Sequence, residues 1–458
     1  MPHDYLGNPI DTDHPQARQA LDDFTQGFLS YHPRAEGIVA SAERHPESAL
    51  SNALAGILLM FSESPQGPVL AERFRHIAAQ VKDPQPRAAL YLALLHAWIK
   101  EDLDRVLQLS EILLDQYPRD LFAAKLNHYV EFNRGNWPGL LRIALKAVAA
   151  SGDIAQSHGM LAFAYEQCHL LDEAEASARQ ALALKEDEPW AQHALAHVML
   201  TQGRIEEGIR FLESVSHQWQ GLNSFMYTHN WWHLALFYLA RGDQTRVLQI
   251  YDQHVWGALP AYSQDQIGAV SLLARLELAG INVGERWQAL APYLQQRHAD
   301  TVLPFLSVQY LYGLGRADKP EADQLLHALR QRALEAPLFS RAVWAEVTLP
   351  LAEGLLAHAR DEHRLALERL SVALPRLNDI GGSHAQRDLF AQIELDARLN
   401  AQDWAGAQQA LELRRRYDGW DVPTNRALER VYQALGLPQL AHVARTRAEA
   451  AGSRLSNE

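Results

Sequence analysis

The sequence predicts an all-α protein built as an array of helical hairpins, strongly curved or closed. Three observations carry this expectation. Apolar residues fall at helical spacing almost throughout, as in LYLALLHAWI (90–99), MLAFAYEQC (160–168) and HLALFYLA (233–240), while alternating β-branched runs are nearly absent. Breakers such as Gly135-Asn136, Gly203-Arg204 and Gly242-Asp243 punctuate the chain regularly. The residues expected in the turns, Glu101, Gly135, His169, Gly203 and Gly242, are 34, 34, 34 and 39 positions apart.

A period of 34 with helix-turn-helix content is that of the tetratricopeptide repeat (TPR). The packing positions recur with it. Leu161-Ala162, Leu195-Ala196 and Leu234-Ala235 lie eight and seven residues before the turn, and Val106, Leu140, Ala174, Gly208 and Val247 lie five after it. Small residues let the two helices of a hairpin approach closely, and large ones fill the gap to the next.

The expected organisation follows in chain order. Residues 1–35 form an extension with turn chemistry (Gly7-Asn8-Pro9, Asp11 to Pro15) and a first helix. Residues 36–250 hold TPR-like repeats with a His-rich centre, and 251–345 read as helices without a clear period. Residues 346–450 return to the pattern, with units around GLLAHARDEHRLALERLSVALP and LDARLNAQDWAGAQQALEL, and 451–458 form a frayed tail. RADKPEAD (316–323) and GGSH (381–384) read as loops.

Composition narrows the function classes. The 458 residues are 48% hydrophobic and 21% charged, which is globular. A net charge of −13 repels phosphate backbones and argues against nucleic acid as a general partner. One cysteine, Cys168, excludes an internal disulfide and a Cys-based zinc cage and accords with a reducing compartment. No apolar stretch reaches the roughly 18 residues of a membrane span, and the start lacks a signal-peptide pattern. The expectation is a cytoplasmic protein without a membrane partner.

Chemistry is most legible in the His-rich centre. His158 and Glu166 lie eight apart on one helix. His193 and His197 (WAQHALAH) and His229 and His233 (THNWWH) are pairs at i and i+4 on the next two first helices, so each pair shares a face. First helices line the concave side of a TPR stack, where these imidazoles would converge. His193, His197, His229 and His233 are therefore candidate ligands for a divalent transition metal, and His158 and Glu166 candidate ligand-binding residues. The same cluster read as a polar lining, or as packing, needs no metal; HALAH and HNWWH lack the helical Glu of HExxH. Trp231 is expected in the core and Trp232 toward the groove, where it would stack on a ligand. In GGSHAQRDLF, Ser383 is placed to cap a helix, with His384, Gln386, Arg387 and Asp388 in its first turns as further candidate binding residues and Arg387 as the anion partner. There is no GxGxxG after a strand, GxxxxGK[ST], GxSxG or CxxC.

SHGMLAFAYEQCHLLDEAE, WAQHALAHVMLTQGRIEEG, HNWWHLALFYLARG and GGSHAQRDLF, with LGNPIDT near the start and VTLPLAEGLLAHARDEHRLA (347–366), resemble the tetratricopeptide repeat protein 38 family over nearly the whole chain. The resemblance implies an all-helical TPR-like protein and leaves its biochemical role open. Two functions fit the residues. One is a binding module holding a peptide, partner protein or small molecule in a His-rich concave pocket. The other is a metal-dependent enzyme using the clustered His and Glu166 on a small anionic substrate.

Overall fold

A computed structural model describes residues 2–453. The described residues are helical almost throughout and contain no strand beyond an isolated bridge between His3 and Pro9. None of their helices is long and apolar enough to cross a membrane. The chain forms two compact units, Met1–Leu195 with Gly221–Met226, and Ala196–Gln220 with Tyr227–Glu458.

In the first unit, helix Pro15–Leu29 is followed by hairpins of which three are regular: Pro86–Ile99 with Leu103–Gln116, Leu121–Asn133 with Trp137–Ser151, and Ala155–Gln167 with Leu171–Leu184. The expected turn near Gly7 forms. Asp4 Oδ1 accepts from the Asn8 backbone N–H at 2.8 Å, and the Asp4 carboxylate meets Arg87 Nη1 at 3.1 Å. Arg87 Nε donates to Asp120 at 2.8 Å, and Asp120 takes the Tyr91 hydroxyl at 2.7 Å. All four side chains are buried, so the start of the chain is tied down through charge.

In the second unit, the part of helix Ser224–Arg241 that begins at Tyr227 is followed by Gln244–Ile250. Five more hairpins follow: Ser263–Leu278 with Arg286–Gln295, Pro304–Arg316 with Glu321–Glu335, Leu349–Ala359 with His363–Ala373, His384–Asn400 with Trp404–Arg415, and Val422–Ala434 with Pro438–Ser453. The stretch 251–345, which shows no clear period in sequence, thus holds two of the hairpins. At Gly208 the small residue serves the approach of neighbouring hairpins, not of the two helices of one: an added Cβ would overlap the Phe237 ring.

One local device makes these turns. The residue closing the first helix adopts the left-handed conformation, with φ of 59° at Glu101, 64° at Gly135, 58° at His169, 68° at Gly203 and 85° at Gly242. The next N–H returns to the carbonyl five residues back, as from Asp102 to Ala97 and from Asn136 to Glu131, the bond of a Schellman cap. Asp102, Asn136, Asp243 and Asp403 then cap the second helix through their side chains. The device repeats at Gly280, Asp318, Asp361, Gln402 and Gly436.

Candidate functional site

The second unit gathers imidazoles from three helices. His197 comes from the part of helix Pro189–Thr201 that begins at Ala196, His229 and His233 from Ser224–Arg241, and His384 from the start of His384–Asn400. His197 and His233 are fully buried. Their ring centroids are 4.4 Å apart, and that of His384 lies 5.5 Å from His197. His229 and His233 bring their Nε2 atoms to 3.3 Å, with the rings at right angles. One ligand nitrogen from each of His197, His229 and His233 lies within 4.8 Å of the others.

Burial pushes His233 well below the usual histidine range, and the charges of His197, His229, His384 and Arg275 push the same way. Burial and His197 push His229 down to about 3. These two rings are neutral at neutral pH, which leaves each a lone pair for a metal or a donor.

The walls are aromatic and polar. Trp232 stacks on His229 at 5.4 Å, and the Arg275 guanidinium sits 5.6 Å over the Trp232 ring. Thr201 Oγ1 is 3.0 Å from His384 Nε2. The expected roles of the two tryptophans are exchanged in burial. Trp232 is 1% exposed, whereas Trp231 is only partly buried, stacked on His254 at 3.7 Å and edge-on to Trp219 at 5.2 Å. A short turn (Ser216–Gly221) and a wide helical turn (Tyr251–Val255) supply these partners, which repeat spacing alone does not foresee.

GGSH forms the expected cap. Ser383 Oγ accepts from the Gln386 N–H at 3.2 Å, and Gln386 Oε1 accepts from the Ser383 N–H at 2.9 Å. Arg387 Nη1 donates to the Gly382 carbonyl. Asp388 takes both Nη atoms of Arg414, at 2.6 and 3.0 Å. Burial alone would raise the Asp388 carboxyl; Arg414 outweighs it and holds the group well below the usual carboxylate range. Gln386, Arg387 and Asp388 therefore have partners within the fold, and His384 is the residue of this segment beside the other imidazoles.

The remaining candidates lie in the first unit. His193, one helical turn before His197, stacks on Trp190 at 4.4 Å and faces Phe163 at 5.4 Å. Glu166 is buried and accepts from Gln167 Nε2 at 2.5 Å. His158 places Nε2 2.9 Å from the Gly152 carbonyl. Beside them is a buried pair that sequence reasoning passed over. Lys125 Nζ lies 4.1 Å over Trp190 and 5.0 Å over Tyr31. Burial pushes this amine down and the nearby Glu188 carboxyl up. A further cluster in the second unit, His358 with Asp396 at 3.0 Å and Tyr312 at 3.3 Å, engages both ring nitrogens and reads as a hydrogen-bonded strut.

No family model matches the chain. Among solved structures it is similar to the human IFIT1 dimer with m7Gppp-AAAA, at 12% identity over 96% of this chain and 100% of that one, TM-score 0.40. It is also similar to the APC/C hetero-tetramer Cut9-Hcn1 (12%, 96% and 86%, TM-score 0.36). A third is Naa15/Naa10 bound to HypK-THB (13%, 94% and 68%, TM-score 0.26). Likeness at these scores has no bearing on what the present chain binds.

Proposed function

We propose that this TPR-like protein is a binding protein whose second unit holds a divalent transition metal on His197, His229 and His233, with His384 beside them. The observation that carries the reading is the His229–His233 pair. Two nitrogens each about 2.0–2.1 Å from one tetrahedral ion stand roughly 3.3 Å apart. Their Nε2 separation is 3.3 Å, longer than the usual N–H hydrogen bond and suited to a shared ion. Burial of His197 and His233 favours an ion or small molecule over an extended peptide, which needs an open channel. The tetratricopeptide repeat protein 38 resemblance, carried by HNWWH and GGSHAQRDLF, and a cytoplasmic setting belong to the same proposal.

The test is calorimetric titration of zinc into untagged, chelator-treated protein and into the His197→Gln, His233→Gln double variant. The native chain is expected to take up zinc saturably and the variant to lose uptake while keeping its helical circular dichroism. Equal uptake by both would remove the site.

One feature favours a second reading as a metal-dependent enzyme. Three protein ligands with an open fourth position is the arrangement of catalytic zinc. His384, 3.0 Å from the Thr201 hydroxyl, would then move a proton. Hydrolysis of small anionic esters by zinc-loaded but not metal-free protein would favour catalysis over storage or sensing.

A further inference from the structure

We infer that the imidazole cluster of the second unit receives a small oxyanion, a carboxylate or phosphate group, and that Arg275 holds it. This rests on the ligand-binding reading above and names the chemistry of the ligand.

Arg275 is 2% exposed, on a helix (Ser263–Leu278) buried on nearly every side. A guanidinium carries five N–H donors and no acceptor. Nη2 donates to the Ala385 carbonyl at 2.5 Å and lies 3.5 Å from that of Gln386. Nε and Nη1 are buried and have no partner, so three N–H groups point at nothing in the protein. Among the described residues no carboxylate forms a salt bridge with it, and burial outweighs the distant support of Asp388. Asp388, the carboxylate that acts on it, is itself bonded to Arg414 (2.6 and 3.0 Å) and Gln392 (2.7 Å). A buried cation with open donors is costly unless an anion accompanies it.

Its place says which site that anion enters. The guanidinium lies over Trp232, whose other neighbour is His229; it bonds the residue after His384; and its charge reaches His233. Further polar groups around it are also open. Ser271 Oγ, one turn earlier on the same helix, and the Nε1 of Trp232, over whose ring the guanidinium lies, are both buried without a partner. A planar fork beside hydroxyl and indole groups suits a carboxylate or phosphate, which accepts from several donors at once. The residue expected from sequence to meet an anion, Arg387, instead bonds the Gly382 carbonyl.

The experiment titrates full-length protein by calorimetry with inorganic phosphate and, separately, malonate, in both metal-free and zinc-loaded forms. The native chain is expected to bind at least one anion saturably. Arg275→Met should weaken it by about tenfold or more while keeping the unfolding midpoint, because it removes an unpaired buried charge. Arg275→Lys, which keeps the charge and loses the fork, should show an intermediate loss and serves if the Met variant does not fold. Absence of saturable binding of either anion in both forms would overturn the inference, and so would unchanged affinity in both variants. Anion binding by protein that takes no zinc would sink the metal and leave Arg275 standing. Zinc uptake without anion binding would do the reverse.

Discussion

His128 and Arg87 show at the residue scale how far burial governs this protein. His128 is 3% exposed, with Nε2 3.3 Å from the Met160 carbonyl. Burial, with Lys125 adding to it, holds the ring well below the usual histidine range. The unfolded chain takes a proton near pH 6.5 that the folded chain refuses, so this group's contribution is whole above that pH and is lost as pH falls. His128→Leu should therefore flatten the unfolding free energy against pH between about 6 and 5 by roughly 1.4 kcal/mol per unit, read from denaturant melts. Arg87 lies between Asp4 and Asp120, all three under 10% exposed. Arg87→Met strands two buried carboxylates and should cost about 3–5 kcal/mol, whereas loss of an exposed pair such as Arg119–Asp153 should cost under about 1 kcal/mol. Residues were unevenly legible. The His pairs announce themselves by i, i+4 spacing. Arg275 does not, because its helix is buried on nearly every side and carries other polar residues such as Asp265 and Gln266, so no single inward charge stands out.

At the scale of the element, the repeat is a turn rule more than a helix rule. Every hairpin named above from Pro86 onward closes on a left-handed residue and a returning N–H, often followed by an Asp or Asn cap. Gly135→Ala should cost about 1 kcal/mol, since φ there is 64° and a Cβ is unfavourable in that region. A differential scanning measurement that found no change would mean the turn relaxes. Ala at Gly208 meets the Phe237 ring instead and should cost more, through strain between the two helices of neighbouring hairpins. The turns up to Gly242 were readable because glycine or a cap marks them at 34 to 39 residues. Beyond it the spacing runs 38, 38, 43 and 41 to Gln402, and Asp318, Asp361 and Gln402 occupy left-handed positions without glycine. A search for a fixed period fails there although the local geometry is unchanged.

For the whole molecule, charge and the enclosed cluster point the same way. A net charge of −13 predicts no saturable binding of a short single-stranded RNA at physiological salt, measured by fluorescence anisotropy. The anion proposed for Arg275 is compatible with that charge, because open donors within hydrogen-bond reach outweigh charges farther away. The all-helical architecture was legible from periodicity. The set of side chains that meets was legible only in part: His197, His229 and His233 come together, while Gln386, Arg387 and Asp388 serve the capped helix. The reason is physical, since spacing reports which residues share a helix face but not which faces meet.

The central claim is that three imidazoles, those of His197, His229 and His233, hold one ion. Elemental analysis of protein purified without a His tag and loaded with zinc, then desalted, tests it most directly. About one zinc per chain, bound through a nitrogen shell at roughly 2.0–2.1 Å in X-ray absorption, is the predicted result. Less than a tenth of an ion per chain, or a shell of oxygen alone, would contradict it.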